Sequence, residues 1–266
     1  MIKKSRKKNL LLIIDMQHDF AANGGSLYVP GAEEDVLRVA KVIVKHDKAI
    51  DHIIFTQDTH HVLDISHPGF WRNEKGESPE PFTEIKSMQV AKGEWIPIED
   101  TGYVLNYLEN LEAKGEFPHV VWPEHCLIGS VGHALVPPLV EKAADWARKG
   151  RRYEVVQKGI NPMTEHFGAL RANVPIDDAP ETQLNMALVD QLHQFENIII
   201  AGEAKSHCIA NTLKQILELE KYSFNLTVLD DCMSPVPGFE KIADPIYQKA
   251  RDAGVQFIKS KDLILT

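Results

Sequence analysis

Three side chains with the chemistry of a nucleophile, a base and a positive charge each follow a predicted strand. Cys208 lies a few residues after the apolar run 198–201, in the first turn of a predicted helix that Ser206 could cap. The partial positive charge at a helix start lowers a thiol pKa and favours the thiolate. Asp15 could accept the thiol proton, and Lys158 could stabilise the charge on sulfur. Each also has a simpler interpretation: an inert buried thiol, a structural ion pair and a solvated lysine.

A second group of side chains, after another predicted strand, could bind a metal ion. Asp58 and His60 are separated by one residue, so extended backbone points both to the same side. His125, within the WPEHC segment at 122–126, could be a third ligand. Two imidazoles and a carboxylate suit Zn²⁺, with Fe²⁺ or Mn²⁺ as alternatives. A loop with several surface histidines is the competing interpretation. Nearby residues offer further ligand candidates: His61, Asp64 and His67.

The predicted elements that must position these residues alternate between strand and helix. This alternation predicts a parallel sheet with helices on both faces, whose ligands bind beyond the carboxyl ends of the strands. Residues 60–118 are rich in glycine, proline and charged residues and are predicted to form an elaborated loop or lid. Strands are predicted at 9–16, 51–57, 119–122, 153–157, 198–201, 226–229 and 255–258, and helices at 32–48, 103–113, 136–149, 181–195, after 206 and at 239–253.

Composition limits the classes of partner. The chain has 266 residues and a net charge of −9, which argues against nucleic acid or an anionic membrane as a partner. The basic run at residues 3–8 is interpreted as a solvated tail. Three cysteines in no CxxC pair favour a reducing cytosol, and no secretion signal or membrane-spanning stretch is predicted. Dinucleotide-binding, Walker A and serine-hydrolase motifs are missing. A single domain over 1–266 is expected, with an insert at about 72–118.

Three motifs resemble those of the isochorismatase-like cysteine hydrolases. They are the segment DMQHDF at 15–20, the pair KG at 158–159 and the segment GEAKSHC at 202–208. Their order and spacing cover most of the chain. The DTH segment at 58–60 and the WPEHC segment at 122–126 are similar to the metal site of the nicotinamidase branch.

The resemblance implies a three-layer α/β/α fold with a six-stranded parallel sheet of Rossmann-like topology. It implies that Asp15 is the general base, that Lys158 steadies the thiolate and that Cys208 attacks an amide carbonyl. The backbone N–H groups of Ala204 and Cys208 would form the oxyanion hole, with a cis peptide bond before Ala204. Asp58, His60 and His125 would bind a divalent metal, most simply Zn²⁺. Three side chains would contact the substrate: Phe20, Trp122 and His207.

The expected activity is therefore hydrolysis of nicotinamide to nicotinate and ammonia through a thioester, by a cytoplasmic homo-oligomer. His207, Glu203 and Asp64 depart from the usual residues of the branch, which leaves two alternatives. The first is a related amidase for another small amide, carbamoyl or ureido compound. The second is a binding module without activity. Vinyl ether hydrolysis, the reaction of isochorismatase itself, is disfavoured because it does not use a cysteine nucleophile.

Overall fold

A six-stranded parallel sheet forms the centre of the computed structural model, which describes residues 8–222 and 224–265. The strands are β1 (Asn9–Ile14), β2 (His52–Asp58), β5 (Tyr153–Lys158), β6 (Asn197–Gly202), β7 (Asn225–Leu229) and β8 (Gln256–Ile258). Their order across the sheet is β5-β2-β1-β6-β7-β8. Strand β1 is buried along its whole length, as expected for an apolar run at the middle of a parallel sheet. The predicted six-stranded parallel sheet is confirmed.

Helices connect and cover these strands. They are α1 (His18–Ala21), α2 (Ala32–Lys45), α3 (Ser87–Ala91), α4 (Thr101–Lys114), α5 (Pro137–Ala147), α6 (Met186–Leu192), α7 (Ala210–Leu217) and α8 (Asp244–Asp252). Helix α2 packs against α5, and α7 packs against α8. Right-handed crossovers place these two pairs on opposite faces of the sheet, which gives the predicted three layers. Within the described residues, no helix has the length and apolar composition needed to cross a bilayer.

Three predicted elements differ in the structure. Residues 119–122 do not form a sheet strand, because their backbone bonds the preceding segments instead: the N–H of Val121 donates to Thr83 and that of Trp122 to Ser66. The helix predicted at 181–195 is limited to a 3₁₀ turn, Pro180–Thr182, and α6. The side chain of Asn185 accepts from the N–H of Leu188 and so caps α6 in the middle of the predicted range. Helix α8 begins at Asp244, with a proline in its first turn.

The segment predicted to be a loop or lid has a packed core of its own. It contains α3, α4 and a two-stranded antiparallel sheet of β3 (Trp71–Arg72) and β4 (Ile96–Pro97). The loop or lid interpretation was wrong in this respect, because scattered apolar side chains far apart in the sequence meet in a second cluster. Its buried members are Ile65, Phe70, Trp71, Ile85, Val90, Val104, Tyr107, Leu108, Leu111 and Val121. The basic tail prediction falls largely outside the described residues.

Candidate active site

Lys158 lies at the carboxyl edge of the sheet between two carboxylates. Strands β5 and β2 pair in register, so that Lys158 is directly opposite Asp58. The Lys158 Nζ is 2.8 Å from Asp58 Oδ1 and 2.9 Å from Asp15 Oδ2. All three residues are buried. Burial opposes the charged ammonium, but the two carboxylates hold the pKa of Lys158 well above its ordinary value. The site therefore contains a permanent positive charge.

The ammonium of Lys158 is shared among several neighbours, and one of them is the Asp15 carboxylate. A lysine has three N–H donors. The Lys158 Nζ donates to Asp58 Oδ1, to the carbonyl of His166 at 2.9 Å and to Cys208 Sγ at 3.8 Å. Asp15 Oδ2 forms an ion pair with the ammonium at 2.9 Å, whereas Oδ1 accepts from the Thr56 hydroxyl at 2.5 Å. Oδ2 is thus the Asp15 oxygen without a hydroxyl donor, and it could accept a proton.

Cys208 lies in a π-helical turn, Lys205–Ile209, that leads into α7. Desolvation by burial raises the pKa of its thiol well above the ordinary value, and Lys158 only partly offsets this. The prediction of a lowered thiol pKa was therefore wrong, because desolvation and the nearby Asp15 and Asp58 outweigh the positive end of the helix. The predicted Ser206 cap was also wrong: its hydroxyl oxygen accepts from the N–H of Val236 at 3.0 Å.

Asp15 is adapted to take the proton that this thiol retains. Burial raises its pKa, while Lys158 pulls the pKa down. Sulfur and carboxylate are close, since ligand atoms of Asp15, Asp58 and Cys208 lie within 4.8 Å of one another. This trio is not a metal site, because the Lys158 ammonium already fills the space between its members. The arrangement provides a thiol, an adjacent base and a fixed cation.

A second group of side chains lies on the side of Asp58 that faces away from Lys158. It consists of Asp58, His60 and His125. One ligand atom from each lies within 4.8 Å of the others, and all three side chains are buried. Asp58 Oδ2 is 3.2 Å from His60 Nε2 and 3.8 Å from His125 Nε2. Asp58 thus contacts the ammonium through one oxygen and the imidazoles through the other. Although its burial is unfavourable, Lys158 and His60 hold the pKa of Asp58 well below its ordinary value.

The chemistry of this donor set fits a divalent cation. The His125 Nδ1 donates to the carbonyl of Pro123 at 2.8 Å, which leaves Nε2 with a free lone pair. Burial, His60 and His67 lower the pKa of His125 well below its ordinary value, so the ring is neutral. At His60 burial is outweighed by Asp58 and Asp64, which hold its pKa well above the ordinary value. This field favours a positive charge, and a metal ion would supply it.

The three spare ligand candidates do not join this group. His61 is exposed. The His67 Nε2 lies 3.3 Å from His125 Nδ1, on the side of that ring away from Asp58. Burial and His60 lower the pKa of His67 to about 4. Asp64 contacts the Nδ1 side of His60.

A narrow pocket joins the two groups. Its walls include all three residues predicted to contact a substrate, Phe20, Trp122 and His207. The His207 ring lies 5.0–5.3 Å from four aromatic rings, and burial lowers its pKa to about 3, so the imidazole is neutral. The rings around it belong to Phe117, Trp122, Phe167 and Phe239.

Four pocket residues were missed by sequence reasoning: the apolar Leu27 and Val236, and two residues that follow Lys158. Glu165 and Phe167 line the pocket, and both follow Lys158 in a segment without regular structure. Burial raises the pKa of Glu165 to about 8, against a smaller opposite effect of His60. The only signal in the sequence was an acidic and an aromatic residue soon after the strand that ends in Lys158, and such residues are common in loops.

The peptide bond between Glu203 and Ala204 is cis, as the resemblance implied. Glu203 is fully buried behind the π-helical turn, and its Oε2 accepts from the N–H of Ser234 at 3.1 Å. Burial and the neighbouring Asp35 raise the pKa of Glu203 well above its ordinary value, so it is a neutral carboxyl. The Glu203 side chain, which replaces a usually apolar residue, therefore faces away from the pocket, toward α2.

Comparison with known proteins gives a consistent set of relatives. No family model matches the chain. The nicotinamidase of Saccharomyces cerevisiae is 23% identical over 248 residues, which is 93% of this chain and 98% of the relative. The nicotinamidase of Escherichia coli is 27% identical over 222 residues, 84% of this chain and 81% of the relative.

Solved structures show the same fold. The yeast nicotinamidase bound to the inhibitor nicotinaldehyde has a TM-score of 0.66 at 20% identity, covering 94% of this chain and 99% of that one. A nicotinamidase and pyrazinamidase from Acinetobacter baumanii has a TM-score of 0.67 at 20% identity, covering 98% of this chain and 100% of that one. The chain is thus similar to nicotinamidases over most of its length, in sequence and in fold.

Proposed function

We propose that the protein is a metal-dependent cysteine amidase that converts nicotinamide and water to nicotinate and ammonia. The observation that carries this proposal is Asp58, whose two oxygens contact the ammonium beside Cys208 and the imidazoles of the metal group. A substrate that bridges both groups must have a reactive carbonyl at one end and a metal-binding atom at the other. Nicotinamide has this form, and the relatives of the chain are nicotinamidases.

The first step is attack of Cys208 on the amide. Asp15 Oδ2 takes the thiol proton as the sulfur forms a bond to the carbonyl carbon, and Lys158 stabilises the negative charge that moves onto sulfur. The carbonyl oxygen becomes an oxyanion. The N–H groups of Ala204 and Cys208, before and within the π-helical turn, would donate to it, because the first N–H groups of a helix lack partners inside that helix.

The second step releases ammonia. The tetrahedral intermediate collapses as the C–N bond breaks, and Asp15 gives its proton to the leaving nitrogen. A thioester between Cys208 and the nicotinoyl group remains. Asp15 then takes a proton from water as the hydroxyl oxygen attacks the thioester. The C–S bond breaks as Asp15 returns that proton to sulfur, which restores the thiol, and the nicotinic acid that leaves ionises to nicotinate in solvent.

Asp58, His60 and His125 would hold a divalent ion, and Zn²⁺ suits their nitrogen and oxygen donors. When bound, the ion would act as a Lewis acid toward the pyridine nitrogen and so orient the ring. A pyrazinamidase of Pyrococcus horikoshii with the same fold has been solved in complex with zinc. Phe20 and Trp122 line the pocket and would pack against the two faces of the pyridine ring.

Nicotinate formation by purified, zinc-loaded protein tests the proposal. Nicotinamide is supplied, and nicotinate and ammonia are quantified together by chromatography and an ammonia assay. We expect equal amounts of both products. Wild-type protein that carries zinc but forms neither product would overturn the substrate assignment. Benzamide, which has the same carboxamide but no pyridine nitrogen, should be a much poorer substrate if the metal orients the ring.

A further inference from the structure

We propose that Asp64 is a positioning residue that fixes the ring of His60 for metal binding and sets the metal affinity of the site. This inference rests on the proposed metal-dependent function. Asp64 contacts no reacting atom in the proposed mechanism, and no comparison assigns it a role.

The carboxylate of Asp64 is held at both oxygens. Its Oδ1 accepts from the N–H of Ser66 at 3.0 Å and from the Ser66 hydroxyl at 2.8 Å. Its Oδ2 lies 3.0 Å from His60 Nδ1. The side chain is 2% exposed, so water does not compete for these positions. The direction of the Asp64 carboxylate is therefore fixed by the backbone of its own loop.

These contacts determine which nitrogen of His60 can reach a metal ion. Both ring nitrogens face a carboxylate: Nδ1 is 3.0 Å from Asp64 Oδ2, and Nε2 is 3.2 Å from Asp58 Oδ2. The His125 Nε2 also faces Asp58 Oδ2, so Nε2 is the nitrogen of His60 on the metal side. A metal ion bound there would replace the Nε2 proton, while the Nδ1–H would still donate to Asp64. Asp64 thus turns the coordinating nitrogen toward the metal position.

The same geometry argues against Asp64 as a ligand. Its Oδ2 is bound on the Nδ1 side of the imidazole, whereas the converging ligand atoms are on the Nε2 side. Hydrogen bonding of a ligand histidine to a carboxylate fixes the ring and raises its basicity, and loss of such a partner typically costs 10–100-fold in metal affinity. His125 differs in this respect, because its Nδ1 donates to the uncharged carbonyl of Pro123.

Zinc affinity of matched variants tests the role of Asp64. The variants are Asp64→Asn, which keeps the shape and an acceptor oxygen but removes the charge, and Asp64→Ala, which removes both. The control is Asp35→Asn. Asp35 lies on α2 and is also 2% exposed, but its carboxylate accepts hydrogen bonds from Ser234 and Arg38, away from the metal group. The zinc dissociation constant is measured by competition with a chromophoric chelator, without any amide present.

We expect zinc binding to weaken by about 10–100-fold in Asp64→Ala, by less in Asp64→Asn, and not at all in Asp35→Asn. The absorption spectrum of the cobalt-substituted Asp64→Asn protein should indicate the same coordination number as that of the cobalt-substituted wild type. Unchanged zinc affinity in Asp64→Asn and Asp64→Ala would overturn the proposal, as would loss of a ligand in the cobalt spectrum. If Asp64→Ala does not fold, Asp64→Asn decides the question through both measurements.

The outcome is separable from that of the proposed function. Wild-type protein that binds zinc but does not hydrolyse nicotinamide would refute nicotinamide as the substrate, and the zinc affinities of the variants would still decide the role of Asp64. Active wild-type protein with unaltered affinity in both Asp64 variants would refute only the role of Asp64.

Discussion

The two halves of the pocket are built on different parts of the fold. In the nucleophile half, Asp15 follows β1, Lys158 is the last residue of β5, and Cys208 lies in the π-helical turn after β6. In the metal half, Asp58, His60 and His125, only Asp58 lies within a strand. The strand order places β2 between β1 and β5, so Asp58 lies where both halves meet. Two strand ends and the π-helical turn position the base, the cation and the nucleophile, while loops supply the imidazoles, and the carboxylate of Asp58 links the two halves.

The electrostatics of the halves differ as well. In the nucleophile half, burial keeps the thiol protonated and raises the pKa of Asp15, so that a proton transfer is needed before attack. In the metal half, the carboxylates create a field that favours a cation. Asp58 stays ionised because it has a cationic neighbour on each side. Variants of each half should therefore separate chemistry from metal binding.

Asp58→Asn should have the largest effect, because it removes the charge that both halves share. We expect loss of nicotinamide hydrolysis together with greatly weakened zinc binding, measured by product formation and chelator competition. Removing one partner of a buried ion pair costs up to about 3–5 kcal/mol, and the remaining Asp15 pair should reduce that cost. Asp35→Asn is the matched control. A variant that keeps either wild-type activity or wild-type zinc affinity would contradict the linking role.

Cys208→Ala should affect one half alone. We expect the turnover number for nicotinamide to fall by more than about 10⁴-fold, because the covalent step is lost, and the zinc affinity to remain that of the wild type. Cys232→Ala is the control, since Cys232 is also buried but does not line the pocket. Substantial hydrolysis by Cys208→Ala would show that another group attacks the amide.

His125→Ala should affect the other half. Zinc binding should weaken by more than the 10–100-fold typical for loss of a residue that only hydrogen-bonds a metal ligand, because here the ligand itself is removed. Alkylation of Cys208 by iodoacetamide, followed by peptide mass spectrometry, should proceed at the wild-type rate because the contacts of Lys158 are kept. The control is His61→Ala, whose side chain is exposed. Equal zinc affinity in the two variants would remove His125 from the metal half.

Glu165→Gln should have the smallest effect, on the pH dependence of stability. The folded protein holds the Glu165 proton up to about pH 8, against an ordinary pKa of 4.5, so it binds more protons than the unfolded chain between these values. This contribution is complete below pH 4.5 and is lost as the pH rises through about 8. Thermal melts of the metal-free protein should therefore show a shallower decline in the variant.

Glu124→Gln, a change at an exposed glutamate, is the control for Glu165→Gln. It should follow the wild-type melting curve at every pH. If Glu165→Gln also follows that curve, the carboxyl is not held neutral in the pocket.

The residues of both halves could be predicted from the sequence, but the loops around them and their depth of burial could not. Apolar runs that end in Asp15 and Lys158 identify strand ends, and parallel strands bring such ends to one edge. The positions of His67 and Glu165 depend on loops with no periodic pattern. The pKa of Cys208 was predicted in the wrong direction because a sequence reveals the helix start but not the depth of burial. The second core of the insert was missed because its apolar residues show no regular spacing.

Trapping of the acyl-enzyme tests the central claim most directly. Zinc-loaded protein is mixed with nicotinamide, quenched in acid within the first turnover and analysed by intact and peptide mass spectrometry. We predict the added mass of one nicotinoyl group on the peptide that contains Cys208, and none after the same treatment of Cys208→Ala. Nicotinate production by the wild type without any such adduct at early times, or with the adduct on another residue, would contradict the mechanism.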